Sequence, residues 1–188
     1  GVAAALRACR SGGRVCLTEE TPWLGGQATS QGVSALDEHD YIESFGATAS
    51  YYELREAIRD QYRQHYELSD VARAAPFLNP GAGWVSRLCF EPSVAALALV
   101  GMLLPEIREG RLQILYRARP VSARRTGDKI SAVIVAGPEE EHNEIRASWF
   151  LDATELGDLL PLVDADWTTG AESREQTNEP DARPDGPA

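Results

Sequence analysis

Residues 1–27 read GVAAALRACRSGGRVCLTEETPWLGGQ, and four local signals follow one another in that stretch. Val2 to Cys9 is rich in Ala and Leu, which enter a helix at little entropic cost and leave a face small enough to lie against a sheet. Ser11-Gly12-Gly13 ends the helix, because glycine accepts the left-handed conformation of a C-cap. Val15-Cys16-Leu17 is a short buried-strand signal running into Glu19-Glu20, and Gly25-Gly26 marks the turn beyond it. Helix, glycine turn and strand in this order make the back half of a βαβ crossover, already helical at residue 1. The chain therefore reads as one entered partway through a unit.

An acid closing such a strand has a specific use. In dinucleotide-binding folds it accepts hydrogen bonds from the adenosine ribose, roughly 20 residues after a glycine-rich turn. Glu19 holds that position directly after the apolar run, and Glu20 points to the opposite face because strand side chains alternate. The alternative is that both are solvated acids at a strand end.

Composition narrows the classes. The 188 residues allow one domain, or one and part of another, with an ordinary globular balance of 43% hydrophobic and 25% charged residues. A net charge of -11 supplies no basic stripe for a nucleic-acid backbone, and Arg124-Arg125 is too small to reverse that. Cys9, Cys16 and Cys89 are odd in number and unclustered, so the expectation is reduced thiols, no metal site and a cytoplasmic home, with Cys9 and Cys16 buried as small hydrophobes. His39, His65 and His142 fall at no metal-ligand spacing. No apolar run reaches the ~20 residues that cross a bilayer.

Downstream, Thr48 to Leu68 reads as the longest helix, with Tyr51, Leu54, Ile58 and Tyr62 on its core face and Glu53, Arg55, Glu56, Arg59 and Asp60 on the others. Residues 74–85 form a Pro/Gly loop, and Ser93 to Ile107 is a helix apolar on nearly every face, hence well buried. Strand signals follow at Leu112–Leu115, Arg119–Arg124, Ile130–Val135 and Ile145–Leu151, with a hairpin turn at Thr126-Gly127-Asp128, so the block is mostly antiparallel. The organisation expected is residues 1–167 with a helical insertion at about 37–108 and a meander at about 112–151, then a polar, mobile tail over 168–188.

Glu19 to Gln27, an acid followed six residues later by a double glycine, resembles FAD-dependent oxidoreductases of the glutathione-reductase-like type. The run through Ala28 to Gly32, and the string Trp149-Phe150-Leu151-Asp152-Ala153-Thr154-Glu155-Leu156-Gly157-Asp158, resemble one large bacterial family of such flavoproteins. That resemblance implies an α/β, Rossmann-like FAD-binding domain carrying an inserted antiparallel β-meander. It implies FAD as cofactor, a small-molecule substrate and no membrane or nucleic-acid partner. Gly1 matches the third glycine of the G-x-G-x-x-G fingerprint, and Gly25, Gly26, Gln27 and Ala28 form the turn against the flavin pyrophosphate. Val121 holds the adenine through its backbone. Ala153, Thr154 and Gly157 belong to the returning strand end, with Glu155 where glycine is usual, and Gln27 to Gln31 lie near the isoalloxazine. No catalytic acid or base stands out.

The leading expectation is thus the FAD-binding portion of an oxidoreductase that transfers hydride between an organic substrate and flavin. The alternatives are an NAD-type Rossmann binding module, or a truncated, non-catalytic domain unable to hold cofactor.

Overall fold

In the computed structural model, which describes residues 1–168 and 170–184, helix α1 spans Val2–Arg10 and ends as the glycines require. Gly12 takes φ +90°. Its N–H donates to the Cys9 carbonyl and that of Gly13 to the Ala8 carbonyl, each at 2.9 Å, which is the paired bonding of a Schellman ending. The chain then reverses into strand β1, Val15–Glu19. Ala5, Leu6 and Cys9 turn inward from α1 and form one core with Leu24, Leu103 and Leu112.

Strand β2, Leu112–Tyr116, pairs parallel with β1, Val15 lying opposite Leu112 and Glu19 opposite Tyr116. The sequence groups this strand with the meander; its pairing puts it in the sheet of β1 instead. Parallel neighbours need a crossover, and the helices lie within it. After a 3-10 turn at Gly26–Ala28 come α2, Ala49–His65, α3, Asp70–Ala74, and α4, Pro92–Arg108. The Thr48 side chain caps α2 by accepting from the Tyr51 N–H, and Ser69 caps α3 through the Ala72 N–H. Pro92 opens α4, where a missing N–H costs nothing. Val94, Ala95 and Ala98 of α4 pack with Ile58 and Tyr62 of α2 in a second core, while Leu103 enters the first. The burial of α4 is incomplete, since Leu97 is 61% exposed.

The polar side of α2 departs from the sequence reading. Arg55 and Arg59 are buried, not solvated. Arg55 pairs with Glu38 and with Glu43, Arg59 pairs with Glu43 at 2.6 Å, and the Arg59 Nε–H donates to the Leu78 carbonyl at 2.9 Å. Tyr51 and Ser86 donate hydroxyl hydrogens to the Glu38 carboxylate at 2.7 and 2.8 Å. The reason is local: the segments carrying Glu38, Glu43, Leu78 and Ser86 cover this face, and each brings its own acceptors. Burial, and then the hydrogen bond to Glu38, push the Tyr51 phenol upward.

Strands β3, Arg119–Thr126, β4, Lys129–Ala136, and β5, His142–Ile145, form the antiparallel sheet in that order. Thr126 pairs with Lys129 across a two-residue loop whose first residue, Gly127, has φ +58°, as a primed hairpin turn demands. Between Pro120 and Ser122 the register shifts, leaving Val121 without a ladder partner. The strand expected over Ile145–Leu151 stops at Ile145. Trp149 and Leu151 are 84% and 69% exposed and only Phe150 between them packs on the core of this sheet, with no ladder pairing among the described residues. Cys16 is exposed, because its side chain lies on the outward side of β1; Cys9 and Cys89 are buried. Beyond the single turn α5, Leu159–Leu162, the polar tail carries one capped turn, α6, Arg174–Thr177, where Ser173 and Gln176 close a capping box. The rest of the tail reading, at Thr169 and 185–188, lies outside the described residues. Among the described residues no helix is long and apolar enough to cross a membrane.

Glu38→Ala leaves the Arg55 guanidinium buried beside a single remaining carboxylate and is expected to cost about 3–5 kcal/mol in urea unfolding. Glu53→Ala, which removes the half-exposed partner of Arg10, is expected to cost no more than about 1 kcal/mol in the same assay.

Candidate functional site

A cleft of about 1510 Å³ opens along α1 and β1, and three groups of the residues singled out in the sequence line it together with parts of α2, α4 and the strands. Gly1 and Glu19 come from the first, Gly25, Gly26, Gln27 and Ala28 from the second, and Ala153 and Thr154 from the third. Of the residues singled out in the sequence, Val121 and Gly157 do not line it. Val121 sits in the bulge of β3, whose extra residue keeps its backbone groups out of the ladder. Gly157, at φ +72°, makes the turn into α5.

Each wall has a local cause. Glu19 ends β1, and one carboxylate oxygen accepts from the Thr21 N–H at 2.8 Å, which fixes the side chain and leaves the other oxygen free to accept. Gly25 has φ +119°, and a Cβ there would lie 2.6 Å from Leu99 Cδ1 and 2.7 Å from Thr29 Cγ2. Only glycine fits between α4 and the turn. Gly26, at φ +56°, is different: a Cβ would meet nothing within 4 Å, so its side is open. The buried Thr29 hydroxyl donates to the Leu24 carbonyl at 2.7 Å and locks the turn. Among the described residues neither the Gly25 nor the Gly26 N–H has an acceptor.

The third wall is a turn organised by Asp152, which the sequence reading passed over. Its carboxylate accepts from the Thr154 N–H at 2.9 Å, the Thr154 hydroxyl at 2.7 Å and the Leu159 N–H at 2.9 Å. Burial pushes the Asp152 carboxyl up, but these three hydrogen bonds together outweigh it and hold the group below its ordinary range. The signal was present as Asp-x-Thr, the spacing of an Asx turn. A second missed contact joins two walls: the Gln31 amide donates to Glu155 at 3.0 Å. Tyr51, assigned to core packing, also lines the cleft. Among the described residues no three His, Cys, Asp or Glu side chains could hold a metal ion.

A strand-end acid, a double-glycine turn with unpaired N–H groups and a small-residue turn therefore face one cleft. The model of the FAD-dependent oxidoreductase family matches residues 1–186, and the chain belongs to that family, whose cofactor is FAD. No curated protein matches the chain. Among solved structures the chain is similar to BexE, from a study of oxidation during BE-7585A biosynthesis, at 20% identity and TM-score 0.47 over 92% of this chain. The chain spans 33% of the length of that structure.

The residues present fit the cofactor. Gly26 offers an open side, the Gly25 and Gly26 N–H groups are donors without acceptors, and Glu19 keeps one oxygen for a hydroxyl. These geometries separate two substitutions. Gly25→Ala combines strain with a clash and is expected to cost about 2 kcal/mol or more, whereas Gly26→Ala costs about 1 kcal/mol, as read from chemical unfolding of the two variants.

Proposed function

We propose that this chain is the FAD-binding portion of an oxidoreductase that transfers hydride between a small organic substrate and the flavin. The observation that carries the reading is the convergence of Gly1, Glu19, Gly25-Gly26 and Ala153-Thr154 on one cleft, together with membership of an FAD-dependent family. In this reading α1, β1 and β2 are part of a Rossmann-like unit, the helices within about 37–108 are an insertion, and the antiparallel sheet is the inserted meander.

Bound FAD supplies a hydride acceptor or donor at N5. The protein supplies position. The free oxygen of Glu19 accepts from an adenosine ribose hydroxyl, and the Gly25 and Gly26 N–H groups donate to the pyrophosphate, which glycine lets approach closely. The adenine is met at the β3 bulge, where Pro120 lines the cleft and the adjoining Val121 backbone, outside the lining, is unladdered. Ala153 and Thr154 keep the opposite wall shallow, Gly157 makes the turn behind them, and the stretch Gln27 to Gln31 lies near the isoalloxazine.

Titrating FAD into the purified chain and following quenching of flavin fluorescence tests this. Micromolar or tighter binding is expected, weakened about tenfold by Glu19→Gln through loss of a charge-assisted hydrogen bond. Absence of binding, together with absence of the flavin's visible bands from the protein as purified, would overturn the reading.

A further inference from the structure

Asp152 does more than decorate the third wall. The stretch from Phe150 to Asp158 contains neither helix nor strand, so ladder hydrogen bonds do not set its shape. Four other hydrogen bonds do. Asp152 takes the N–H and hydroxyl hydrogens of Thr154 and the N–H of Leu159, and the Thr154 hydroxyl oxygen accepts from the Asp158 N–H at 2.8 Å. The two side chains thereby clamp residues 152–159 into one turn. Ala153 is held between them, its Cβ 3.7 Å from where a Cβ on Gly1 would stand. That distance is ordinary van der Waals contact, so the turn lies alongside the start of α1, with both Gly1 and Ala153 exposed at the surface.

We infer that Asp152 is a positioning residue for the cofactor cleft: through Thr154 it holds Ala153 against Gly1 and fixes the wall that the cofactor meets, without itself needing to touch the ligand. The inference rests on the FAD reading of the cleft. The chemistry explains the choice of residue. Three donors converge, and an ionised carboxylate is acceptor-only with two oxygens, so it can satisfy all of them. Asparagine has one acceptor oxygen and would turn an amide donor toward the Leu159 N–H or toward Thr154. Threonine at 154 is equally specific, because its hydroxyl donates to Asp152 and accepts from Asp158 N–H at once. Valine has the same shape and can do neither.

The test is FAD affinity, by fluorescence titration of the whole chain, in Asp152→Asn, Thr154→Val, Thr154→Ser and the double variant Asp152→Asn/Thr154→Val. Asp152→Asn and Thr154→Val are each expected to weaken binding about tenfold, the cost of one to two hydrogen bonds, and Thr154→Ser to restore wild-type affinity. The double variant is expected to bind no more weakly than the worse single, because both break one network. Additive losses, wild-type affinity in Asp152→Asn, or a loss in Thr154→Ser equal to that in Thr154→Val would overturn the inference while leaving the FAD reading intact. Failure of the wild-type chain to bind FAD is a different result and removes both. Should Asp152→Asn not fold, the comparison of Val with Ser at 154 decides alone.

Discussion

The contact on which the rest of this structure depends is that between Gly25 and Leu99, where the Leu99 side chain of helix α4 fills the space that a side chain on the turn would need. Helix α4 belongs to two cores at once. Val94, Ala95 and Ala98 face α2, and Leu103 faces α1 and the parallel strands. Leu24 enters the second of these cores and Ala28 the first, so the double glycine is stretched over the seam. Burying both flanks gives the turn a rigid footing, since close-packed interiors deform little. The open side at Gly26 therefore faces the cleft from a fixed backbone.

The helical region is held by a different force. Arg55 and Arg59 place two cations under the segments that carry Glu38 and Glu43. Such pairs gain little net stability over an apolar core, because desolvation offsets most of the attraction. What they impose is geometry. A guanidinium satisfied by two carboxylates accepts few alternative loop arrangements, and Tyr51, which lines the cleft, hydrogen-bonds to the same Glu38. The ion network and the cleft thus share a residue.

Much of this was legible in the sequence where a residue's role depends on near neighbours. The glycine ending of α1 and the Gly127 hairpin both follow from backbone sterics within a few residues. What was not legible depends on distant partners. Arg55 and Arg59 fall outside the core face because helical periodicity cannot see a loop folding over the polar face. Leu112–Tyr116 looks like a meander strand from its neighbours, and only the remote Val15–Glu19 makes it parallel. The 146–151 stretch has strand composition, but strand conformation needs a ladder, which it lacks among the described residues. For the cleft, glycines and the strand-end acid were visible as types. Asp152 was hidden because its importance lies in three donors it gathers, two of them backbone.

The acidity of the chain sharpens how an anionic cofactor would be held. Glu19, Glu20, Asp152, Glu155 and Asp158 all border the cleft, against Arg14, Arg111 and Arg146. Arg111 is committed to Glu106 and Glu109, and Arg146 to Glu144. Arg14, which has no acidic partner among the described residues, is thus the cleft cation left uncommitted. Under the proposed reading, the other groups that would meet a phosphate at the double glycine are backbone N–H dipoles, which carry no charge that a neighbouring carboxylate could capture as an ion pair. They also keep their direction, provided the backbone is rigid. Three of the cleft carboxylates carry hydrogen bonds of their own: one oxygen of Glu19 accepts from the Thr21 N–H, Asp152 from three donors and one oxygen of Glu155 from Gln31. Each such bond spreads negative charge away from the cleft. The same hydrogen bonds that shape the turns thus also make an acidic surface tolerable to a phosphate ligand.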